Sequence, residues 1–534
     1  SNKNDIHTEF VKTENLKNVK EPVKIYRIKF DGSPPVRQRP LKSINRKNFV
    51  LIFLGIAVMT LIGYFVFQSS KKTNVTATNN EIVDRSIAVL PFVNMSNDKE
   101  QEYFSDGLSE ELLNLLAKTP ELKVIGRTSS FSFKGKNEDL RSIAQKLGVA
   151  HILEGSVRKD GNKIRVTAQL IKASDGSHSW SETYEENMKG LFKLQDKIAG
   201  AVVKQLKVKL LSSSSGGSIS SNIEVHNLIL QGNYFFDKLD KDNVAKAVEL
   251  YHRALAIDSN DARAWGKLAN AVSRQSWQNY IDQNTGYEKA RQAALKAVSL
   301  DNNYATGYLE LGDIKLYHDF DWKGAMDAHQ MAFSLEPGNA EVINGLGDVH
   351  LPVGLLKEAE QFYKKSILLD PLKPIVHMNL GNTLTSMGRY QEAIASFKKA
   401  LDVNPQFQRA HMYIGRNYLL IGKPDSALKE MEKENVEVFK AFGLVLVYHA
   451  LGRKPEGDET LKEFTEKYQN NWSYLLAQLH AFRGEKDEAF GWLETAYNKK
   501  DSWLFWVKGD PLLKNLKTDP RYNAFLKKMN LNPD

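Results

Sequence analysis

The chain has 534 residues, enough for about three or four domains of ordinary size. Hydrophobic residues make up 42% and charged residues 26%, which excludes a disordered or collagen-like chain. It has no cysteine, which excludes a disulfide scaffold, a Cys-ligated zinc site and a thiol nucleophile. The net charge of +9 is concentrated in residues 1–47, which carry 12 Lys/Arg and 5 Asp/Glu. Because the rest of the chain is nearly neutral, we expect no nucleic acid among its partners.

An uncharged apolar run extends from Phe49 to Phe67. As a helix it would be about 28 Å long, the thickness of the hydrocarbon core of a bilayer. This predicts a transmembrane helix over residues 48–68, and a buried core helix is the alternative. Five basic residues lie just before the run and two just after it, which favours a cytoplasmic N-terminus and periplasmic residues 73–534. We therefore expect a single-pass inner-membrane protein whose membrane contact is this helix.

The segment Leu16–Ile28, LKNVKEPVKIYRI, alternates apolar and polar residues as a terminal strand does. It resembles the closing strand of class III nucleotide cyclase domains, and Asn4–Ile6 is similar to the segment ahead of that strand. The resemblance covers only a short stretch and implies that residues 1–47 are a cytoplasmic remnant of such a domain. In that family the metal-binding and nucleotide-recognising positions lie upstream of this strand. We therefore expect no catalytic activity in this chain, although its intact parent would be a cyclase. A disordered tail with a chance match is the alternative.

A small mixed-sheet α+β domain is predicted over residues 86–210, after a polar linker at residues 69–85. The order of apolar runs and amphipathic stretches is βαβαβββα. Strands are expected at residues 86–92, 122–125, 151–157, 163–171 and 178–184, and helices at residues 108–118, 138–147 and 192–206. Asp160-Gly161, between the third and fourth strands, is a strong hairpin signal.

Five blocks of this region, in order, resemble the TolB-like amino-terminal domain of bacterial membrane-anchored signalling proteins. They are IAVLPF at residues 87–92, EYFSDG at 102–107, RTSSF with FKGK at 127–136, LEGSVR at 153–158 and WSETY at 180–184. The family has no agreed ligand or reaction, so the resemblance implies a fold but no particular ligand or reaction. Candidates for lining a site are Tyr103, Arg127, Lys134, Arg158 and Trp180. Packing at turns and strand edges is the alternative role for these side chains.

Small residues recur every 34 or 35 positions beyond a Ser/Gly linker at residues 211–221. They are Gly312, Gly347, Gly381 and Gly415 in the expected first helices and Ala325, Ala359, Ala393 and Ala427 in the second, with Pro337, Pro371 and Pro405 at the repeat ends. This pattern resembles the tetratricopeptide repeat, in which small residues let two helices approach and large ones such as Tyr363 and Phe397 fill the gap. With weaker flanking copies we expect an α-helical solenoid of about eight repeats over residues 222–500, capped by residues 501–534.

The sequence contains no HExxH, GxSxG or GxxxxGK[ST] motif, and we expect no cofactor. His350, His377 and His411 recur near the repeat spacing, but they do not share one slot of the repeat, which argues against a stacked metal site. In solenoids of this type the first helices line a groove that binds a protein or peptide. The groove positions expected from the repeat register are Asn344, Asp348, Met378, Asn382, Met412 and Arg416.

The predicted fold class is therefore multidomain, α+β and all-α: one transmembrane helix, a small mixed-sheet α+β domain and a tetratricopeptide-repeat solenoid. Three functions are compatible with this organisation. The first is a membrane-anchored interaction or sensor module, the regulatory part of a cyclic-nucleotide signalling protein. The alternatives are the remnant of a membrane-bound transcription regulator and a periplasmic envelope-assembly scaffold. No oligomeric state is predicted.

Overall fold

The structure, a computed structural model, describes residues 7–14, 23–29, 84–98, 101–119, 121–208, 222–238 and 240–533. The chain divides into two compact units, Ser1–Thr76 and Ala77–Asp534. In the first unit strand β1 (His7–Glu14) pairs antiparallel with strand β2 (Val23–Lys29). The strand predicted over residues 16–28 overlaps β2 from residue 23 onward, and its earlier part lies outside the described residues.

The predicted transmembrane helix is corrected by the structure. Among the described residues no helix is both long and apolar enough to cross a membrane. The longest of them, Gln283–Leu300, has 18 residues and carries charged side chains at several positions, which a bilayer core disfavours. The segment predicted to span, residues 48–68, lies outside the described residues. The fold class with one transmembrane helix, and with it the inner-membrane localisation and the periplasmic placement of residues 73–534, was therefore a wrong prediction.

The α+β domain is built on a mixed sheet. Its strands are β3 (Ser86–Val89), β4 (Val93–Asn94), β5 (Lys123–Val124), β6 (His151–Asp160), β7 (Lys163–Lys172) and β8 (His178–Asn187). The order is β5-β3-β6-β7-β8, with β4 also paired to β6. Strand β3 runs parallel to both neighbours, whereas β6, β7 and β8 form an antiparallel meander. The predicted hairpin is confirmed: Asp160 pairs with Lys163, and Gly161 has the positive φ of 55° that a tight turn requires.

Helices cover both faces of this sheet. They are α1 (Glu102–Ala117), α2 (Arg127–Phe131), α3 (Leu140–Leu147) and α4 (Leu191–Gln205). Helices α1 and α4 pack on the face that Ile87 and Val89 contribute to, whereas α3 packs on the opposite face with Ala88 and Leu90. Because β3 is buried on both faces, its sequence is a continuous apolar run without alternation. The sequence did not predict α2 and β4, which are too short to show a period.

The described residues between 222 and 500 form eight consecutive helix pairs. The first helices of the pairs are α5 (Ile223–Phe236), α7 (Ala262–Trp277), α9 (Ala305–Ile314), α11 (Ala340–His350), α13 (Pro374–Ser386), α15 (Ala410–Leu420), α17 (Glu437–Ala450) and α19 (Ser473–Arg483). The second helices are α6 (Lys241–Ile257), α8 (Gln283–Leu300), α10 (Trp322–Leu335), α12 (Leu356–Leu369), α14 (Tyr390–Val403), α16 (Pro424–Met431), α18 (Lys454–Tyr468) and α20 (Lys486–Asn498). Each second helix packs on the first helix of its own pair, and the second helices of the first six pairs also pack on the first helix of the next pair.

The predicted packing inside a repeat is confirmed at the two most regular pairs. A Cβ atom added to Gly347 would lie 2.5 Å from the ring of Tyr363, and one added to Gly381 would lie 2.6 Å from the ring of Phe397. Both aromatic rings are fully buried. The absence of a side chain at the glycine therefore sets how closely the two helices of a pair approach.

The chain ends in a segment that crosses the solenoid. Two short 3₁₀ helices, Ser502–Gly509 and Pro511–Leu516, form what we call the C-terminal strap, and helix α21 (Pro520–Lys528) follows it. Strap residues pack with Leu346 and Val349 of the fourth pair in one hydrophobic cluster. The indole N–H of Trp322, at the start of α10, donates to the carbonyl of Met529 at 2.5 Å. The end of the chain is thus joined to the third and fourth pairs as well as to the last.

Replacing Gly381 with alanine should destabilise the fold by about 1–3 kcal/mol, because the new methyl group overlaps the buried Phe397 ring. The matched control is Gly491→Ala in α20, where a Cβ would meet no atom within 4 Å. There the better helix propensity of alanine should stabilise the protein by up to about 1 kcal/mol. Chemical denaturation of both variants measures the difference. Equal effects of the two substitutions would contradict the packing explanation.

Candidate partner-binding groove

The six expected groove residues lie on three neighbouring first helices. Asn344 and Asp348 are on α11, Met378 and Asn382 on α13, and Met412 and Arg416 on α15. Hydrogen bonds join these helices side by side. The amide of Asn379 donates to Asn344 at 3.3 Å, and the guanidinium of Arg416 donates to Asn382 Oδ1 at 3.3 Å. The structure therefore places the six on three helices that lie side by side, and their role in binding a peptide stays a prediction.

The C-terminal strap contacts this part of the solenoid. Trp506 lies over Arg416, with 4.1 Å from the guanidinium carbon to the indole centroid, and its N–H donates to Ser386 Oγ at 2.8 Å. Lys508 donates to the carbonyl of Val353 at 3.4 Å. Four of the expected groove residues are buried, and the other two keep partial exposure. The buried ones are Asp348, Met378, Met412 and Arg416, and the half-buried ones are Asn344 and Asn382.

Arg416 was expected to point freely into the groove, and instead it is 1% exposed. Its guanidinium lies between the rings of Tyr413, at 4.6 Å, and Trp506, at 4.1 Å. Within the described part of the chain it forms no ion pair, and its Nε has no acceptor. Burial lowers the pKa of this guanidinium. Cation–π contacts therefore hold a charge that carboxylates do not neutralise. The sequence signal for the strap was the aromatic run Trp503–Trp506, which was interpreted as a cap on the last repeat alone.

A second polar centre lies where α9 and α11 meet. Asp348 accepts hydrogen bonds from the hydroxyl of Tyr363 at 2.7 Å and from the amides of Asn344 at 2.9 Å and Asn379 at 3.0 Å. Burial raises the pKa of Asp348 to about 7. On α9, burial and the neighbouring charge of Asp313 raise the pKa of Glu310 to about 8. Near neutral pH this part of the groove thus holds carboxyl groups that keep a proton.

The α+β domain packs against the first half of the same solenoid. Asp370, just after α12, accepts hydrogen bonds from the backbone N–H of Ser129 at 2.8 Å and from its hydroxyl at 2.5 Å. The N–H of Gly126 donates to the carbonyl of Leu369 at 2.7 Å. A Cβ on Gly126 would lie 2.6 Å from the carboxyl carbon of Asp370, so only glycine fits this approach. One carboxylate thus holds the start of α2 on the solenoid.

An ionic network extends this contact. Arg127 pairs with Glu110 of α1 at 3.0 Å and with Asp237, just after α5, at 2.5 Å. Lys267 of α7 approaches Glu110 at 3.9 Å. Burial raises the pKa of Asp237 to about 6. Arg127, a candidate for lining a site in the α+β domain, is therefore used to hold that domain on the first two repeats.

The other candidates in the α+β domain do not converge on one point. Lys134 pairs with Glu102 at 2.8 Å and with Asp106 at 2.5 Å, both on α1. Arg158 is exposed on β6. The two aromatic candidates are partly buried and pack against the domain's core: Tyr103 and Trp180. Trp180 lies on β8, the edge strand at the opposite side of the sheet from β5. These positions fit the packing alternative better than a common site.

The three recurrent histidines use their rings in separate contacts. His350 Nδ1 lies 2.6 Å from the carbonyl of Leu346, and His377 Nε2 lies 2.8 Å from that of Pro371. His411 Nδ1 lies 2.8 Å from a carboxylate oxygen of Glu430. Within the described ranges no group of three or more metal-ligating side chains is found.

Two stretches of the chain match models of the tetratricopeptide repeat, residues 340–371 and 374–407. They coincide with the fourth and fifth helix pairs. Residues 83–201, the α+β domain, match the family described as HilA/YgeH-like transcriptional regulator, second domain. The chain therefore contains tetratricopeptide repeats, a fold that serves as a protein-interaction module.

Two curated relatives are similar to parts of the chain. The protein named "Putative adenylate cyclase 3" of Rhizobium meliloti (strain 1021) is 39% identical over 189 residues, which are 34% of this chain and 32% of that protein. The transcriptional regulator HilA of Salmonella typhimurium is 22% identical over 241 residues, which are 44% of this chain and 42% of HilA. The chain thus spans about a third and about two fifths of the length of these relatives.

Two solved structures are similar to parts of the chain. MamA is 25% identical, with 28% of this chain and 87% of MamA covered and a TM-score of 0.25. PilF of Pseudomonas aeruginosa is 20% identical, with 39% of this chain and 90% of PilF covered and a TM-score of 0.31.

Two substitutions at Arg416 should separate the contribution of its packing to stability from the contribution of its charge. Arg416→Ala removes the group between two rings and should destabilise the protein by about 2–4 kcal/mol. Arg416→Met keeps most of the volume and removes an unpaired buried cation, so its stability should lie within about 1 kcal/mol of the wild type or above it. Urea denaturation compares the two, with the exposed Arg453→Met as control. A Met variant as unstable as the Ala variant would show that the charge itself is required.

The protein should become less stable as the pH rises from about 4 to about 7 through the titration of Asp348. The pKa of this carboxyl is raised from 3.8 to about 7, so its stabilising contribution is complete below the lower value and is lost as the pH passes the upper one. Asp348→Asn should make the decline of the thermal midpoint with pH shallower. Asp402→Asn, at an exposed surface pair, is the control. Unchanged slopes in Asp348→Asn would argue that this carboxyl is ionised in the folded state.

Proposed function

We propose that this chain is the partner-binding, regulatory portion of a longer cyclic-nucleotide signalling protein. The observation that carries the proposal is the 39% identity with the Rhizobium meliloti relative over 34% of the chain. The resemblance of residues 16–28 to the closing strand of class III cyclase domains also supports it. In this proposal the chain binds a partner and transmits that binding event to the rest of the signalling protein, and it contributes no catalytic residue.

The proposed partner is a protein or peptide that reaches the groove beside the strap. Asn344 and Asn382 are the expected groove residues that keep exposure, and their amides can both donate to and accept from a peptide backbone. Met378 and Met412 are buried in the same hydrophobic cluster as Trp506 of the strap, and Arg416 is buried against Trp506, so these residues support the groove from within. Asp348 orients Asn344 through their hydrogen bond.

The α+β domain is the proposed receiver of the binding event. It contacts the solenoid through Ser129 and Asp370, and Asp370 lies only a few residues before α13, the helix that carries Asn382. A partner that shifts α13 therefore acts on the same junction that holds α2. The resemblance to TolB-like domains of signalling proteins agrees with such a role.

A transcription regulator is the second candidate. The match of residues 83–201 to the HilA/YgeH-like second domain and the similarity to HilA over 44% of the chain favour it. Both candidates use the solenoid as an interaction module. They differ in what partner binding controls, a cyclic-nucleotide level or transcription, and not in the binding surface.

Substituting a groove residue in the protein encoded by the natural gene should distinguish control of a cyclic-nucleotide level from control of transcription. Asn382→Arg places a bulky charge on the half-buried surface and should change the cellular cyclic-nucleotide level about fivefold or more, the size of an ordinary coupling between sites. Lys398→Glu, on the exposed side of α14, is the matched control and should change nothing. Nucleotide levels and transcripts are measured together.

A photo-crosslinking residue at position 382 should also capture a protein that the same residue at position 398 does not. Crosslinking at both positions alike, or at neither, would contradict the groove as the binding surface. Changed transcripts at an unchanged cyclic-nucleotide level would favour the transcription regulator. Cyclic nucleotide formed by the purified chain from ATP or GTP with Mg²⁺ would contradict the assignment of a purely regulatory role.

A further inference from the structure

Two arginines from distant repeats approach the same indole ring. Arg274 lies in the last turn of α7, and Arg409 directly precedes α15. Their guanidinium carbons lie 5.7 Å and 5.3 Å from the ring centroid of Trp277, so the two carbons are within about 11 Å of each other. Phe439 and Trp503 complete the surroundings of Arg409 at 5.7 Å and 5.5 Å. The second and sixth repeats thus bring two positive charges together on the groove side of the solenoid.

Neither charge is neutralised by the described residues. Arg274 and Arg409 form no ion pair there, and the Nε of Arg409 is buried without an acceptor. Burial lowers the pKa of Arg409, and the nearby charge of Arg274 acts in the same direction. Several other arginines of the solenoid are paired with carboxylates: Arg291, for example, makes two hydrogen bonds of 2.8 Å to Asp319. Because partly buried cations are unfavourable without a counter-charge, two unpaired cations close together require a cause.

The carboxyl groups nearby are already engaged. Glu434 accepts from backbone N–H groups at the start of α15, including that of Arg409 at 3.3 Å. Glu310 accepts from the amide of Asn270 at 2.5 Å, and its raised pKa of about 8 keeps it largely protonated at neutral pH. Glu341 pairs with Lys373 at 3.5 Å. The described residues therefore supply no carboxylate to bridge the two guanidinium groups.

We propose that Arg274 and Arg409 bind an oxyanion, the phosphate or carboxylate group of a ligand, between the second and sixth repeats. A guanidinium presents its N–H donors in a planar fork that matches both kinds of oxyanion. Trp277 lies against both forks, and Phe439 and Trp503 fix the orientation of Arg409, so the donors are held in place before the ligand arrives. Both side chains keep partial exposure, which leaves the site open to a ligand in the groove.

The site would couple parts of the chain that are far apart in sequence. Its residues come from the second repeat, the sixth repeat, the seventh repeat through Phe439, and the strap through Trp503. A bound anion offsets the repulsion between two cations and so strengthens the contact between these parts. Binding should therefore stabilise the solenoid as a whole, and the two tryptophans should report it by fluorescence.

The test uses inorganic phosphate and succinate as probes, each titrated into the full chain at constant ionic strength. In the wild type the thermal midpoint should rise and the tryptophan emission should change with a saturating dependence. Arg274→Gln should weaken the apparent affinity about tenfold, the usual effect of losing charge-assisted hydrogen bonds. Arg274→Gln with Arg409→Gln should abolish the response. Arg453→Gln, at an exposed arginine paired with Glu456, is the control and should respond like the wild type.

The choice of variants keeps the result interpretable. Arg274 is only partly buried and forms no ion pair among the described residues, so the single variant should fold even if loss of Arg409 disturbs the aromatic contacts. Circular dichroism checks this. A response to phosphate alone would assign a phosphate ligand, and a response to succinate alone a carboxylate ligand. No saturable response in the wild type, or an equal response in Arg274→Gln and the wild type, would overturn the proposal.

Discussion

The rest of the structure depends on the close approach of the two helices within each regular repeat. Gly347 faces the ring of Tyr363 and Gly381 faces that of Phe397 at distances where a Cβ atom has no room. This spacing sets the first helices side by side, so that residues of neighbouring repeats can share hydrogen bonds, as Asn379 does with Asp348 at 3.0 Å. The groove is the direct result. The residues that line the groove, the C-terminal strap and the α+β domain all contact a solenoid whose first helices must be in this register.

Other parts of the same chain, the α+β domain and the C-terminal strap, pack against the solenoid. The α+β domain contacts the early repeats through charged groups, whereas the strap contacts the later ones through aromatic rings. These two kinds of contact have different energetic consequences. The hydrogen bonds from Ser129 to Asp370 are charge-assisted and depend on geometry, and each is worth about 1.5–3 kcal/mol. The stacking of Arg416 on Trp506 tolerates sliding, because a ring face has no fixed acceptor position. A partner would therefore meet a rigid junction at one end and an adaptable one at the other.

Local rules predicted the local structure well. The hairpin at Asp160-Gly161 and the pairing of small with aromatic residues follow from turn geometry and repeat spacing, and both are confirmed. Contacts across the groove could not be predicted in this way. Ser129 and Asp370 are 241 residues apart, and no periodic pattern links them. The burial of Arg416 was missed for the same reason, since its repeat position indicates the groove but not what fills the groove. The transmembrane prediction depended on composition alone, a criterion that no described helix meets.

The hydrogen bond from Trp322 to the carbonyl of Met529 changes how the solenoid should unfold. A row of repeats in which each unit contacts only its neighbours can lose units from either end, one at a time. Here the last helix is tied to the third pair, 207 residues earlier in sequence. The end that would ordinarily fray is thereby connected to the middle of the row, and loosening it exposes the Trp322 and Leu346 cluster as well. The repeats between these two points should accordingly melt as one cooperative block.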